Sequence, residues 1–202
     1  MPRTKQVSRN GLAPELTQIY DDLFPGKDPV ADPGTATGTP GNWWTTFALV
    51  PNVLLAIRDH FGALRSDEEA LPAKYREIAI VRSGWVRGSQ FVFSQHCKVA
   101  RQVGVPEDKI MEIPTWSSSS LFDPDERAVL AYVDEVMLAD GRVQDATFER
   151  LRKVLSDEGI VRLTMCALTW GAHGTFCRAL RLEYDDLDER VVEIPAPATA
   201  TG

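Results

Sequence analysis

The chain has 202 residues, 44% of them hydrophobic and 25% charged, a composition typical of one globular domain and too short for two ordinary domains. The formal net charge is −7, and Lys and Arg are scattered among acidic residues, so we expect no nucleic-acid partner and no membrane partner. A small-molecule ligand is expected instead. No apolar run approaches the ~18 residues that span a membrane, which predicts a cytoplasmic location.

Residues 1–41 are predicted to form one helix and a linker. Apolar residues recur at helical spacing from Pro14 to Phe24. Residues 25–41 are dense in Pro, Gly, Thr and Asp, a composition that opposes regular structure. This composition favours a linker, although a loop of this length can also serve as a lid.

The rest of the chain shows no convincing alternating strand, so we predict an all-α domain over residues 42–187 and a flexible tail over residues 188–202. The predicted helices, in chain order, cover 43–50, 51–66, about 73–87, 89–103, 107–113, 124 to a turn at 140, 145–155 and 160–182. Asn42 is expected to cap the first of these helices, and Gly159 is expected to close the helix at 145–155.

Two segments predict burial in the core or between subunits. Trp43 and Trp44 are large aromatic residues, which occur more often in such packing than in the wall of a ligand site. The helix at 160–182 is apolar almost all round and contains small residues that let a neighbouring helix approach closely. His173 on this helix is expected to be a core histidine.

The stretch from Glu77 to His96 carries the candidate chemistry. It predicts two helices joined at Gly88 and Ser89, with Gly88 supplying a C-terminal stop and Ser89 capping the second helix. If the helices fold back antiparallel, Glu77 and His96 lie about 16 Å and about 12 Å from the turn, so their side chains can meet.

A carboxylate and an imidazole in one enclosed site can divide the roles of base and acid, because burial and mutual charge separate their pKa values. From spacing alone, however, a hydrogen-bonded structural pair is the more common arrangement. Three scattered histidines do not have the spacing of a zinc site, so no metal ligand is predicted.

Glu77, eleven intervening residues and then Ser89-x-x-Val92-x-x-x-His96 resemble the central pattern of the carboxymuconolactone decarboxylase and alkyl hydroperoxidase D family. In the redox members this pattern reads Glu…Cys-x-x-Cys-x-x-x-His. The resemblance continues through FDPDERAVLAYVDE and GRVQDATFERLR and covers roughly residues 42–182. Ser89 and Val92 stand where the redox members have their two cysteines, so the resemblance carries over the acid and the histidine but not the thiols.

The resemblance implies a compact helical domain that assembles as a homotrimer or homohexamer. It also implies an enzyme that needs no metal or organic cofactor and acts on a small oxygenated carboxylate or lactone. Decarboxylation by a lyase is the first expectation, and isomerase, dehydratase or cyclase chemistry is compatible with the same site. Glu77 and His96 are the expected catalytic residues.

Four further residues are expected to bind substrate: Trp85, Ser89, Val92 and Phe93. Ser89 can donate a hydrogen bond to developing negative charge, although a role as helix cap is slightly favoured. Val92 and Phe93 replace the Glu and Trp that decarboxylase-like members commonly carry, which makes the expected pocket more apolar.

Two alternatives remain at the level of sequence. A thiol peroxidase-like antioxidant protein needs an attacking and a resolving thiol, and both family positions lack cysteine. Cys97 has no Cys-x-x-Cys partner, and Cys166 and Cys177 would lie about 16 Å apart on one helix, beyond disulfide reach. A non-catalytic protein that keeps only the scaffold is the other alternative, and the retention of Glu77 and His96 argues mildly against it.

Overall fold

The computed structural model describes residues 2–183, and every regular element within this range is helical. The prediction of an all-α fold is therefore confirmed. The α-helices of the described range are α1 (Thr17–Leu23), α2 (Asn42–Phe47), α3 (Pro51–Arg65), α4 (Ala73–Val86), α5 (Gln90–Gln102), α6 (Glu107–Glu112), α7 (Pro124–Leu138), α8 (Asp145–Leu151) and α9 (Asp157–Leu180).

The chain divides into two compact units. One is formed by the chain up to Ala63 together with the chain from Phe176, and the other by Leu64–Thr175. The predicted division into residues 1–41 and 42–187 stays a prediction, and the predicted tail, residues 188–202, lies outside the described residues.

In the first unit, a carboxylate from the end of the described chain caps α2. Glu183 accepts hydrogen bonds from the backbone N–H groups of Gly41 (3.1 Å) and Trp43 (2.8 Å). The prediction that Asn42 caps this helix is therefore wrong. Asn42 is the first residue of α2, and its side chain accepts a hydrogen bond from the backbone N–H of Glu183. Glu183 caps the helix, although it is distant along the chain, because its carboxylate accepts from two N–H groups at once and its negative charge is stabilised by the positive end of the helix dipole.

Aromatic residues pack the same unit. The ring of Trp43 lies 4.3 Å from that of Phe47 and 6.0 Å from that of Phe61, between centroids. Trp43 is buried and Trp44 is half-buried within the single chain. The core position predicted for this pair is therefore confirmed for Trp43.

The second unit is built on the hairpin of α4 and α5. Gly88 has φ of 61°, and the following N–H of Ser89 bonds to the carbonyl of Gly84 at 2.9 Å, which ends α4. The Ser89 hydroxyl then accepts a hydrogen bond from the N–H of Val92 at 3.3 Å and caps α5. Both the stop and the cap were predicted from the sequence.

A buried apolar cluster holds the hairpin against its neighbours. Its members come from α4 to α7 and the loops between them: Ile78, Val81, Phe93, Cys97, Ala100, Val105, Ile110, Ile113, Trp116, Phe122 and Leu130. Burial of these side chains supplies the main driving force for packing the hairpin.

A buried carboxylate with two lysine partners fixes the start of α7. Asp123 and Glu126 form a capping box, as the sequence order Asp-Pro-Asp-Glu favours. The Glu126 carboxylate, fully buried, also accepts from Lys74 (2.5 Å) and Lys109 (2.6 Å). Burial alone would raise the pKa of Glu126, but the two lysines outweigh burial and hold that pKa below its usual value.

The boundary between α8 and α9 differs from the prediction. The earlier helix, α8, ends at Leu151 rather than 155, and Gly159 does not close it but lies inside α9, which begins at Asp157. A Cβ at residue 159 would collide with the carbonyl oxygen of Ala70, so this glycine serves close packing rather than helix termination.

Two glycines allow a matched test of the hairpin contact. A Cβ at residue 84 would lie 2.8 Å from the backbone nitrogen of Phe93, and backbone cannot rotate away. Gly84→Ala should therefore lower the free energy of unfolding by roughly 1–3 kcal/mol in denaturant titrations. Gly62→Ala in α3, where nothing lies within 4 Å, should instead raise it by roughly 0.5–1 kcal/mol. Equal effects of the two substitutions would contradict close α4–α5 contact.

Candidate active site

Glu77 and His96 meet inside the hairpin. Glu77 lies on α4 and His96 on α5, and the Nδ1 atom of His96 lies 2.7 Å from Oε2 of Glu77. The side chains are 1% and 8% exposed, so a carboxylate and an imidazole share a site shielded from water. The contact expected from an antiparallel hairpin is therefore present.

A buried arginine completes this pair. The side chain of Arg76 is 6% exposed, and its Nε donates to Oε1 of Glu77 at 3.1 Å. Burial by itself would raise the pKa of Glu77, but the hydrogen bonds from His96 and Arg76 and the positive charge of Arg76 outweigh burial and lower this pKa below its usual value. Glu77 is therefore an ionised carboxylate at neutral pH.

Burial is the largest influence on His96 and lowers its pKa below the ordinary value of 6.5. The hydrogen bond and charge of Glu77 oppose this shift, whereas the positive charges of Arg65 and Arg76 add to it. At neutral pH the imidazole is then uncharged. Because the ionised Glu77 can only accept, the proton lies on Nδ1, and Nε2 carries the lone pair of a base.

Residues that sequence reasoning did not select surround the pair. The edge of Trp170 faces His96, with 5.3 Å between ring centroids, and the Arg65 guanidinium lies 5.4 Å from the centroid of the same tryptophan. Arg76 carried one usable signal, since it directly precedes Glu77 in the sequence. Arg65, at the end of α3, and Trp170, on α9, carried none, because only folding brings them beside the hairpin.

The four expected substrate-binding residues differ in their surroundings. The Ser89 hydroxyl caps α5, and a Cβ at residue 174 would lie 3.0 Å from it, so this side chain packs closely on α9. Val92 and Phe93 are each 1% exposed, and Phe93 belongs to the buried apolar cluster. Trp85 is 39% exposed, and its ring centroid lies 5.6 Å from that of Phe93. Their roles in substrate binding stay predictions.

The three cysteines and His173 are packed against other parts of the protein. Cys97, Cys166 and Cys177 are free thiols and buried. Burial is the main reason that the pKa of Cys166 is raised to about 11, and it also raises the pKa of Cys177. His173 is half-buried and stacks on Phe91 with 5.6 Å between centroids. Burial, together with the positive charge of Arg65, lowers the pKa of His173.

A separate cavity of about 500 Å³ opens on the surface of the second unit. Neither Glu77 nor His96 lines it. Its lining residues belong to α7, α8 and α9 and the turn before α9, and comprise Tyr132, Phe148, Arg152, Asp157, Ile160, Val161, Thr164 and Met165. Because Arg152 and Asp157 pair with each other at 3.2 Å, this lining offers no uncommitted acid and base, and we place the candidate chemistry at Glu77 and His96.

Two general features of residues 2–183 bear on ligands. No three His, Cys, Asp or Glu side chains in this range are grouped so that they could hold a metal ion. None of the helices there is both long and apolar enough to cross a membrane.

The fold and the helical hairpin are those of an alkyl hydroperoxidase D-like protein. The debrominase Bmp8, crystallised as a cysteine-to-alanine variant with 2,3,4-tribromopyrrole, has a TM-score of 0.70 at 16% identity, covering 92% of this chain and 95% of that chain. The alkylhydroperoxidase AhpD core protein of Ralstonia eutropha JMP134, an uncharacterized peroxidase-related protein, has a TM-score of 0.68 at 18% identity, covering 91% and 95%. A protein of unknown function from Agrobacterium tumefaciens, proposed to be the antioxidant-defence protein AhpD, has a TM-score of 0.62 at 26% identity, covering 67% and 92%.

Residues 51–135 match the sequence model of the Carboxymuconolactone decarboxylase family. Over these residues the chain matches that family, and the resemblance inferred from the Glu77–His96 pattern is confirmed. Comparison with curated proteins found no match.

The charge state of His96 can be measured directly. Long-range ¹H–¹⁵N NMR correlations at pH 7 should show a neutral imidazole protonated on Nδ1, because burial lowers its pKa and Glu77 holds the proton. In Glu77→Gln the titration midpoint should move to still lower pH, since the charge that raises this pKa is gone. A doubly protonated His96 at pH 7 in the wild type would contradict the assignment of a base.

Proposed function

We propose that this protein is a cofactor-independent acid/base enzyme that acts on a small oxygenated carboxylate or lactone, as the family resemblance implies. The observation that carries the proposal is the buried 2.7 Å hydrogen bond between His96 and the ionised Glu77. Glu77 orients the imidazole and stabilises the imidazolium that forms when Nε2 takes a proton, so that His96 is the proton carrier.

Two reactions suit such a carrier. His96 can take a proton from an acidic carbon of the substrate and return it to a different carbon, which is an isomerisation. In a decarboxylation, the bond between carbon and the carboxylate breaks and carbon dioxide leaves. The electron pair of that bond stays on the substrate and forms a dienolate, which the lactone carbonyl stabilises. Protonated His96 then donates a proton to carbon. The imidazole of the free protein is neutral, which favours the isomerisation, because that reaction begins with proton abstraction. A bound anion that raises the pKa of His96 would favour the decarboxylation, because that reaction needs a protonated imidazole.

Thiol chemistry receives no support from the described cysteines. A disulfide cycle needs an accessible thiolate and a resolving thiol, whereas Cys97, Cys166 and Cys177 are buried. Ser89 and Val92, at the family's two cysteine positions, cannot replace them. The antioxidant alternative is therefore the weaker proposal.

The proposed enzyme assembles as a homotrimer or homohexamer. Val161, Met165 and Leu168 lie at helical spacing on α9 and are 63%, 40% and 45% exposed in the single chain, which leaves an apolar face for a second subunit. Multi-angle light scattering at micromolar concentration should show a trimer or a hexamer. A well-folded monomer would contradict this assembly.

The catalytic proposal predicts large activity losses at two residues. Glu77→Gln and His96→Asn should keep the fold but lower turnover of carboxymuconolactone or a related lactone carboxylate by roughly 10²- to 10⁴-fold, because each removes a titratable group. If the two act as one unit, the double variant should be little worse than either single variant. Steady-state rates and thermal melts on the same preparations provide the measurement.

Glu126→Gln is the matched control, because it also removes a buried, ion-paired carboxylate but lies in the capping box of α7. This variant should lower thermal stability and leave turnover per folded molecule unchanged. Unchanged turnover per folded molecule in Glu77→Gln and His96→Asn would show that the pair is only structural.

A further inference from the structure

Arg76 has a buried nitrogen without a hydrogen-bond partner. Its Nε is bonded to Glu77, but Nη1 is inaccessible to solvent and contacts no acceptor. Among the described residues, the other buried side-chain atoms in this condition are the hydroxyls of Thr4 and Thr46, so Arg76 is the one charged case. Buried polar groups in folded proteins are nearly always paired, and an unpaired cationic donor is especially unfavourable.

The second terminal nitrogen of Arg76 is also only loosely engaged. Nη2 lies 3.9 Å from Oε1 of Glu68, which is longer than a hydrogen bond, and the Glu68 side chain is 67% exposed. An exposed partner at this distance is screened by water and holds the guanidinium weakly. The terminal nitrogens of a guanidinium form a planar fork that matches the two oxygens of a carboxylate.

The local charge balance favours an anion at this position. The positive charges of Arg65 and Arg76 both act on His96, while the single carboxylate of Glu77 opposes them. The neighbouring Cys166 thiol adds no charge, because its pKa is raised to about 11. With His96 neutral, the buried Arg76 lies opposite the buried Glu77 carboxylate, and the exposed Arg65 adds a further, solvent-screened positive charge, so that the net local charge favours an anionic ligand.

From this geometry we propose that Arg76 binds the carboxylate of a small organic acid through Nη1, directly beside the Glu77–His96 pair. This inference rests on the proposed acid/base function and narrows its substrate class to anionic carboxylates, so that neutral lactones bind poorly. Arg76 is then a specificity residue. A carboxylate held there also lies near enough to His96 to favour the protonated imidazole once substrate is bound.

The first test uses the wild-type protein. Paraconate, a small lactone carboxylate, and methyl paraconate, its uncharged ester, are titrated at pH 7 by calorimetry and by NMR of the His96 imidazole. Paraconate should bind roughly 10- to 100-fold more tightly than the ester, the range expected for a charge-assisted hydrogen bond. It should also move the His96 titration to higher pH, which the ester should not do. Equal affinity for acid and ester would overturn the proposal.

Variants then assign the preference to Arg76. Arg76→Met should abolish the preference for paraconate, and Arg76→Lys should retain part of it, because an ammonium keeps the charge but not the fork. Arg101→Met is the control, since it removes the same charge from a partly exposed arginine paired with Glu107. This control should keep the full preference. If Arg76→Met does not fold, the acid preference of Arg76→Lys is compared with that of the wild type, and this comparison decides whether Arg76 is the anion site. An undiminished preference in a folded Arg76 variant would overturn the assignment.

The same titrations separate this inference from the catalytic proposal. Glu77→Gln should bind paraconate at least as tightly as the wild type, because it removes a neighbouring negative charge, yet it should not turn over substrate. If the acid preference survives in Arg76→Met while Glu77→Gln and His96→Asn are inactive, the anion site is wrong and the catalytic proposal stands. If the preference depends on Arg76 but both variants remain active, the catalytic proposal is wrong and the anion site stands.

Discussion

The hydrogen bond between Glu77 and His96 depends on the close packing of α4 against α5. Gly84 lets the backbone of Phe93 approach to a distance that a Cβ would prevent, and Gly88 allows the chain to reverse within two residues. This short turn sets the register of the two helices. This register places the Glu77 carboxylate on α4 opposite the His96 imidazole on α5, although the two residues are 19 positions apart along the chain. The candidate chemistry is therefore a consequence of hairpin geometry.

Two buried carboxylates in the second unit show why one is a candidate for chemistry and the other is not. Glu126 is surrounded by Lys74, Lys109 and the backbone N–H of Asp123, so its charge is balanced by permanent partners. Glu77 is paired instead with His96, which can gain or lose a proton, and with Arg76, which keeps an unused donor. Burial is similar, but only the second network contains a titratable imidazole and a buried donor without a hydrogen-bond partner.

The helix cap gives Ser89 a structural role at one of the family's cysteine positions. A helix needs an acceptor for its first N–H groups, and a serine hydroxyl supplies one for Val92 while packing against α9 at Gly174. The same position in the redox members of the family carries a thiol. Because folds carry many chemistries, the shared helical architecture does not decide between proton transfer and thiol redox. The proposal of proton transfer rests on Arg76, Glu77 and His96.

The sequence by itself predicted most of the helices, the turn of the hairpin and, for an antiparallel pair of helices, the Glu77–His96 contact, because helical periodicity, the Gly88 stop and the Ser89 cap are local signals. It failed at Asn42 and Gly159, where partners distant along the chain, Glu183 and Ala70, outweighed local preference. Only the tertiary structure brought Arg65 and Trp170 to the site and showed that Nη1 of Arg76 is buried without an acceptor. Charge balance and hydrogen-bond satisfaction depend on neighbours from several elements, and no spacing along one helix encodes them.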